Sequence, residues 1–330
     1  MRTHTAALIL AAASAAAGDG PAVTGGASGL PPLPRPVTSF GATRLGDTVY
    51  AYGGHTGSAH SYSKAEQADE LWALDLADPA AGWRTVAEGP NLQGNALVAA
   101  GGRVVLLGGF SALNAAGEGH DLHSQAAVRA FNPATGDWSD LPALPEPRSS
   151  FDAAADGDVM TVVGGWSMAG EADAVWHRTA YSIDLSAGEP RWAALPTPPT
   201  TRRALAATYH DGRLYVLGGM TEDSGPTTAV TVYDPKAGAW SQGPPLPGDA
   251  MNGFGCAAFS RGGRLYASTY DGRVQRLAED GSTWDAVGRL PKARFFHRFV
   301  PGRDGEVLVL GGGDMSVGKY PDVDVLRFAN

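Results

Sequence analysis

Short apolar runs, each ended by two glycines, recur along the chain and dominate its hydrophobic pattern. The doublets begin at Gly53, Gly108, Gly164, Gly218 and Gly311, so successive copies lie 55, 56, 54 and 93 residues apart. A degenerate copy without glycines, Leu265–Thr269, divides the longest interval into two. Periods of this size are typical of repeat proteins, in which each unit buries its apolar face against its neighbours. The pattern therefore predicts six repeats in one domain.

Each repeat is predicted to contain four short strands, named a to d. Strand a is small and apolar, as in Phe151–Ala155, and a glycine turn such as Asp156–Asp158 leads to strand b. Strand b ends in the glycine doublet, and a longer loop leads to strand c, which ends in an aromatic-Asx-Pro motif such as Phe131–Pro133. Strand d carries a tryptophan and is followed by a Leu-Pro segment.

The doublet, the aromatic-Asx-Pro motif, the tryptophan and the following Leu-Pro together resemble the Kelch repeat over residues 22–330. The resemblance implies an all-β fold, a six-bladed β-propeller with four-stranded antiparallel blades. The fifth repeat departs from the pattern because it lacks the doublet, and the sixth because it lacks its own tryptophan. The tryptophans of the other five repeats are Trp83, Trp138, Trp192, Trp240 and Trp284.

The last repeat stops after its third strand, Val323–Phe328, so its fourth strand must come from elsewhere in the chain. The segment Ala27–Phe40 aligns without gaps on Trp138–Phe151. Residues 22–29 are therefore predicted to supply strand d of blade 6, with Ala27 in the tryptophan position. This arrangement closes the ring and removes an exposed sheet edge. The predicted domain covers residues 18–330.

Composition and the N-terminus limit the class of protein. The net charge of −9 argues against nucleic acid as a partner, because phosphate binding requires a basic surface. An apolar stretch, Ala6–Ala13, precedes the small residues Ala15–Ala17, which predicts a signal peptide over residues 1–17. Its apolar part is too short to span a bilayer. We therefore expect an exported protein, periplasmic or secreted, whose single cysteine excludes an intrachain disulfide.

Arginines near the starts of the a strands are candidates for anion binding. In such a blade the d–a connection and the b–c loop emerge on one face, where Arg148, Arg203, Arg294 and Asn252 should converge. The planar arginine fork suits a carboxylate or a phosphate. The same arginines could instead pair with an aspartate of a neighbouring blade or bind backbone carbonyls, so both roles stay open.

A second set of candidates follows each glycine doublet. Trp166 and Tyr270, the equivalent residue of blade 5, could stack on the apolar face of a sugar ring. They could equally cover the neighbouring loop. The b–c loops differ in length, and blade 5 has almost none, so the rim should be low there. The complete set is His55, Phe110, Trp166, Met220, Tyr270 and Gly313.

Other chemistry is sparse. Glu118, Glu171 and His297 are candidates for proton transfer. His120 and His123 have metal-like spacing, but without a third fixed ligand a solvated loop is the alternative, and no metal is predicted. The chain contains no nucleophile elbow, phosphate loop or dinucleotide fingerprint, so no cofactor is expected. Kelch copper oxidases require a cysteine cross-linked to a tyrosine, whereas Cys256 lies among small residues in a predicted strand, so an oxidase is not predicted.

Three hypotheses about function remain. The first is a non-catalytic exported module that binds a glycan or a protein on its b–c loop face. The second follows from a distant similarity to exported Kelch mutarotases of the N-acetylneuraminate epimerase type, and implies an isomerase acting on an acidic sugar. Ring opening of a sugar needs a positioned acid and base, and the arginines would suit its carboxylate. That similarity is one of fold alone. The third is a protein-interaction scaffold, and the oligomeric state stays open.

Overall fold

The computed structural model describes residues 23–328 as six four-stranded antiparallel blades around a central channel. Blades 5 and 6 are joined edge to edge into one eight-stranded sheet. The six innermost strands contact one another in cyclic order, so the ring is closed. Apolar cores fill the spaces between neighbouring blades; one of them joins Tyr50 and Tyr52 of blade 1 to Leu97 and Phe131 of blade 2. The predicted signal peptide, residues 1–17, lies outside the described residues. Within residues 23–328 no helix is long and apolar enough to cross a membrane.

The strands follow the predicted order a to d in every blade. Blade 1 contains Gly41–Leu45, Thr48–Tyr52, Glu70–Asp75 and Arg84–Glu88; blade 2 contains Ala96–Ala100, Arg103–Leu107, Val128–Asn132 and Asp137–Leu141; blade 3 contains Asp152–Asp156, Val159–Val163, Ala180–Asp184 and Ala193–Ala194. Blade 4 contains Ala206–His210, Arg213–Leu217, Val230–Asp234 and Ala239–Gly243; blade 5 contains Ala257–Arg261, Arg264–Ser268, Arg273–Leu277 and Trp284–Arg289; blade 6 contains Arg298–Pro301, Val307–Leu310, Val323–Phe328 and the N-terminal Val23–Ala27.

Four b–c loops carry a small hairpin, and three short 3-10 helices complete the secondary structure of residues 23–328. The hairpins pair Phe110–Ala112 with Leu122–Ser124, Trp166–Ser167 with Val175–Trp176, Met220–Thr221 with Gly225–Pro226, and Gly313–Asp314 with Gly318–Lys319. The 3-10 helices are Lys64–Glu66, Pro79–Ala81 and Ala250–Gly253.

The N-terminal strand closes the ring, as predicted. Val23–Ala27 pairs antiparallel with Val323–Phe328 along its whole length, and Val23 also touches Gly288 of blade 5. Val23 is buried in the core between these two blades. The strand therefore contributes both hydrogen bonds and an apolar anchor at the junction of the first and last parts of the chain.

The register of this strand differs from the predicted one. Gly25 lies opposite Leu326, the place that Trp138 occupies opposite Phe131 in blade 2. Ala27 is therefore not in the tryptophan position. A Cβ atom on Gly25 would lie 2.6 Å from the carbonyl oxygen of Arg289, so the neighbouring blade leaves no room for a side chain there.

The tryptophans connect each blade to the Leu-Pro segment that precedes it. In four blades the indole N–H donates to a proline carbonyl: Trp83 to Pro31, Trp192 to Pro142, Trp240 to Pro196 and Trp284 to Pro244, at 2.6–3.0 Å. Before blade 2 the equivalent carbonyl is that of Pro90, and it accepts the hydroxyl of Tyr52 from blade 1 at 2.7 Å, while Trp138 Nε1 has no partner within the described residues. This contact explains why the two sequence motifs recur together.

A ring of left-handed residues surrounds the channel where each connection enters strand a. One residue of every blade has a φ of 52° to 63°: Ser39, Gly94, Ser150, Ala204, Gly255 and Phe296. In four of them the backbone N–H donates to the carbonyl of the equivalent residue in the preceding blade, as that of Ser150 does to Gly94 at 2.8 Å. Four are not glycine, which is uncommon at such a φ. The sharp turn places the residue just before it at the mouth of the channel.

Arg298 closes the channel beneath this ring. From strand a of blade 6 its guanidinium bonds Asp152 Oδ1 of blade 3 at 2.9 Å and the carbonyl of Phe40 in blade 1 at 2.8 Å. It also donates to the carbonyl of Asn95 in blade 2 at 3.3 Å, and Asp152 accepts the N–H of Ala207 in blade 4. A ligand arriving from the b–c loop face therefore meets a floor. A cavity of about 350 Å³, lined by all six a strands, occupies the channel.

Candidate functional site

The residues at the channel mouth are those that precede the six left-handed turns. Five of them form an isolated antiparallel β-bridge with the residue that follows a glycine doublet, as Arg203 does with Met220. The complete mouth ring is Thr38, Gln93, Ser149, Arg203, Phe254 and Phe295. Thr38, Gln93 and Ser149 are buried, whereas Arg203 and the two phenylalanines of adjacent blades are half-buried. In blade 5 the predicted residue, Asn252, lies two positions earlier; it is buried and accepts the N–H of Asp271.

Arg203 is the cationic residue of this ring, and its guanidinium lies against two indoles. Its Cζ atom is 4.1 Å from the ring centroid of Trp166 and 5.0 Å from that of Trp176. Both tryptophans belong to the b–c hairpin of blade 3, where they pair with each other. Such cation–π contacts hold an arginine in place while its N–H groups stay free to bind an anion.

No acceptor within residues 23–328 uses the side chain of Arg203. It takes part in none of the ion pairs or hydrogen bonds of the described chain, and its buried Nε has no partner. Burial lowers the pKa of the Arg203 guanidinium, with a smaller opposing effect from Tyr62. A half-buried guanidinium without a carboxylate beside it is what an anion site requires.

The other two predicted arginines occupy a different position. Arg148, Arg294 and Arg202 are all buried. Each donates to the carbonyl of the first glycine in the doublet of its own blade, at 2.9–3.0 Å: Arg148 to Gly164, Arg294 to Gly311 and Arg202 to Gly218. The expectation that Arg148, Arg203 and Arg294 converge on one ring is therefore wrong. The true equivalent of Arg148 in blade 4 is Arg202, one residue before Arg203.

Carboxylates complete the structural role of these buried arginines. Arg148 bonds Glu146 Oε2 at 2.9 Å, and the same oxygen accepts the hydroxyl of Thr179. Arg294 pairs with the buried carboxylate of Asp324. Both side chains thus hold the doublet turns inside their blades, in accord with the structural alternative left open by the sequence.

The b–c loop of blade 1 brings Tyr62 across the mouth toward Arg203. The Tyr62 ring contacts His55 at 5.1 Å, His120 at 5.2 Å and Phe110 at 5.9 Å between centroids. Burial raises the pKa of Tyr62, and the charge of Arg203 acts to lower it. The tyrosine hydroxyl therefore stays protonated at neutral pH and can donate a hydrogen bond.

Loops of blades 1, 2 and 3 form a continuous wall on one side of the mouth. The amide of Asn114 donates to the carbonyl of Tyr62 at 2.7 Å, which ties blade 2 to blade 1. The backbone N–H of Ser124 donates to the carbonyl of Met168 at 2.9 Å, which ties blade 2 to blade 3. Blade 5 has only the turn around Asp271, so the rim is low there.

The proton-transfer candidates do not gather around Arg203. His297 is 2% exposed, and its Nε2 atom lies 2.9 Å from Ser268 Oγ in the interior. Burial lowers the pKa of His297 well below its usual value. Glu118 is exposed on the blade 2 loop, where it accepts the N–H of Ala115, and Glu171 is exposed on the blade 3 loop.

The metal-like cluster is a loop feature. His123 Nε2 lies 2.6 Å from Asp121 Oδ1, while His120 packs on Tyr62. Residues 23–328 contain no group of three or more His, Cys, Asp or Glu placed to hold a metal ion. Cys256 is buried, and burial raises the pKa of its thiol to about 12.

Tyr62 and Trp176 are the site residues that sequence reasoning missed. Both lie in b–c loops without a repeated pattern, so no position in the repeat marks them. Trp176 could have been found from its spacing, since it lies ten residues after Trp166 across a loop with a glycine. The reach of Tyr62 across the mouth depends on the folded path of its loop.

Comparison with known proteins agrees with this architecture. A Kelch motif model matches residues 201–247. A structure titled "Structure of YjhT" superimposes with a TM-score of 0.71 at 16% identity, over 91% of this chain and 99% of that one.

Two curated relatives share part of the sequence. An F-box/kelch-repeat protein of Arabidopsis thaliana is 27% identical over 67% of this chain and 60% of its own length. The N-acetylneuraminate epimerase of Shigella flexneri is 30% identical over 48% of this chain and 43% of its own. The chain thus spans about half the length of the curated relatives it matches.

Six closed four-stranded blades with a loop-lined mouth define the class of protein as a β-propeller. Its doublets, tryptophans and Leu-Pro connections recur as they do in Kelch repeats, and these matches make the chain similar to Kelch-repeat proteins, with a Kelch motif at residues 201–247.

Proposed function

We propose that this propeller binds a small anionic ligand, a carboxylated sugar, at the mouth on its b–c loop face. One observation supports the proposal above all others: the guanidinium of Arg203 lies against Trp166 and Trp176 and has no acceptor in the described chain. A bound carboxylate would complete its hydrogen bonds. Binding without catalysis is the simplest function that this arrangement supports.

A sugar suits the remaining surfaces of the mouth. The half-buried aromatic side chains of Trp166 and Trp176 adjoin the Arg203 guanidinium, and binding sites commonly combine such apolar walls with a few polar groups. The partial similarity to N-acetylneuraminate epimerases points to an acidic sugar. The Kelch relatives with F-box or BTB regions favour a protein ligand instead, which is the competing occupant of the same face.

A catalytic role is the second candidate, as a mutarotase of the same class of sugar. Exchange of anomers needs a group that donates a proton and one that accepts it. The Tyr62 hydroxyl is a proton donor whose pKa the charge of Arg203 affects, and His120 contacts the tyrosine ring. Glu118 and Glu171 are the candidate carboxylates on the adjoining loops.

Calorimetry with acidic and neutral monosaccharides tests the binding proposal. We expect N-acetylneuraminate to bind and neutral sugars to bind weakly, and Arg203→Ala to weaken binding at least tenfold, since hydrogen bonds to charged groups are worth about 1.5–3 kcal/mol. Arg213→Ala is the matched control, because Arg213 lies at the far end of the same blade and is exposed. Equal binding by both variants, or no acidic sugar bound, would refute the proposal. NMR of anomer exchange with the same variants tests catalysis.

We also propose export, on the basis of the apolar N-terminal stretch and its small residues. Expression of the full chain in a bacterial host, followed by N-terminal sequencing, tests it. We expect the exported protein to begin at Gly18. An intact N-terminus on a protein retained inside the cell would contradict the proposal.

A further inference from the structure

Four aromatic side chains form a cluster beside the mouth, which we call the aromatic shelf: Phe254, Tyr270, Phe295 and Phe296. Tyr270 and Phe295 are stacked, with centroids 5.7 Å apart and planes 12° apart. Phe254 contacts the other three rings at 5.0–6.5 Å. All four are half-buried, and none belongs to the apolar cores between the blades. The shelf is therefore a half-buried cluster that joins blades 5 and 6 outside the apolar cores.

The shelf is continuous with the proposed anion site. Phe254 and Phe295 occupy the mouth ring in blades 5 and 6, and Arg203 occupies it in blade 4. A ligand held by Arg203 would thus have the shelf on its adjoining side. On the opposite side it would face Tyr62 and the wall of loops from blades 1 to 3.

The shelf also lies where the mouth is open. In blade 5 a turn at Thr269–Gly272 takes the place of the b–c hairpin. The N–H of Gly272 donates to the carbonyl of Thr269 at 2.8 Å and closes this turn. A ligand larger than one sugar ring could therefore extend over blade 5 without meeting a loop.

Charges around the shelf are already paired. Asp271 accepts the hydroxyl of Thr269 at 2.6 Å and lies 3.3 Å from Arg273, and Lys292 pairs with Asp322 at 2.6 Å. Aromatic faces whose neighbouring charges are already paired within the protein suit an uncharged, partly apolar group, such as the C–H face of a neutral sugar.

From these contacts we infer that the shelf is a second subsite, which takes a neutral sugar joined to the acidic one. The ligand is then the acidic end of an oligosaccharide, which leaves over blade 5. This inference rests on the proposed binding of an acidic sugar at Arg203, and it specifies the class of that ligand.

Calorimetry with N-acetylneuraminate and with 3′-sialyllactose, which carries two further neutral sugars, tests the inference. We expect the trisaccharide to bind about tenfold more tightly than the monosaccharide. Tyr270→Ala should reduce that ratio toward one, and Tyr270→Phe should restore it because the ring is kept. Met315→Ala, an exposed residue of the blade 6 loop, is the control and should keep the full ratio.

The outcomes separate the two proposals. Binding of the monosaccharide with no gain for the trisaccharide would overturn the second subsite alone, as would an unchanged ratio in Tyr270→Ala. Failure of both ligands to bind the unmodified protein would overturn the acidic-sugar proposal and the subsite with it. Because each variant is judged by a ratio of two dissociation constants, a partial loss of folded protein does not imitate the expected result.

Discussion

A shift of one residue separates an arginine that holds a blade from one that lies at the mouth. Arg202 donates to the carbonyl of Gly218 inside blade 4, whereas Arg203, on the other side of the strand, lies at the mouth against Trp166. Side chains of successive residues point to opposite faces in extended backbone. The sequence shows two adjacent arginines but does not show which one is buried, so this assignment required the structure.

Protonation of His55 provides a prediction at the same scale. The His55 side chain is 5% exposed, and burial, helped by Lys319, lowers its pKa to about 4. Between pH 6.5 and 4 the unfolded chain therefore binds a proton at this residue that the folded chain does not. We expect the free energy of unfolding to fall across this range as the pH decreases, with up to about 3 kcal/mol due to His55.

Chemical unfolding at pH 7, 5.5 and 4.5 measures this effect. In His55→Gln the free energy of unfolding should decline less steeply with falling pH than in the unmodified protein, because the contribution of His55 is removed. The other buried histidines keep their contributions, so some decline should remain. His60→Gln, at an exposed residue of the same loop, should keep the original slope. Identical slopes in His55→Gln and the unmodified protein would show that His55 does not carry the effect.

At the scale of the elements, local patterns made most of the fold predictable. Strands, doublets and tryptophans are short-range features; the strands repeat in all six blades, and the doublet and the tryptophan each occur in five. The repeat itself required a strand from the N-terminus. The alignment nevertheless placed Ala27 at the tryptophan position, where the structure has Gly25. The reason is a contact across blades, since the carbonyl of Arg289 occupies the space next to Gly25.

The N-terminal strand should be essential for the stability of the ring. Val23 is buried between blades 5 and 6, whereas the next residue, Thr24, is exposed on the same strand. A charge at Val23 would be buried without a partner, so we expect Val23→Asp to lower the free energy of unfolding by about 3 kcal/mol. Thr24→Asp should change it by less than about 0.5 kcal/mol.

Guanidinium unfolding of both variants provides the comparison. A lower midpoint for Val23→Asp than for Thr24→Asp would support closure of the ring by this strand. Coincident unfolding curves would mean that the strand contributes little, and that blade 6 is stable without its fourth strand.

At the scale of the whole molecule, the ring supplies a rigid frame and the loops make it asymmetric. Arg298 joins blades 1, 2, 3 and 6 through the channel and provides a floor. Above it, one side of the mouth has Tyr62 and the walls of three loops, and the other has the low aromatic shelf. The repeat predicted the low rim at blade 5 from its short loop. The path of Tyr62 was not predictable, because it depends on contacts between loops of different blades.

The central claim is that Arg203 binds the carboxylate of the ligand, and removal of either partner tests it most directly. Calorimetry would compare N-acetylneuraminate with its methyl ester, which lacks the charge, on the unmodified protein and on Arg203→Ala. We predict that esterification weakens binding at least tenfold in the unmodified protein and has no further effect in Arg203→Ala, because the two changes remove the same interaction. An equal loss on esterification in both proteins would contradict the account, since the carboxylate would then be recognised elsewhere.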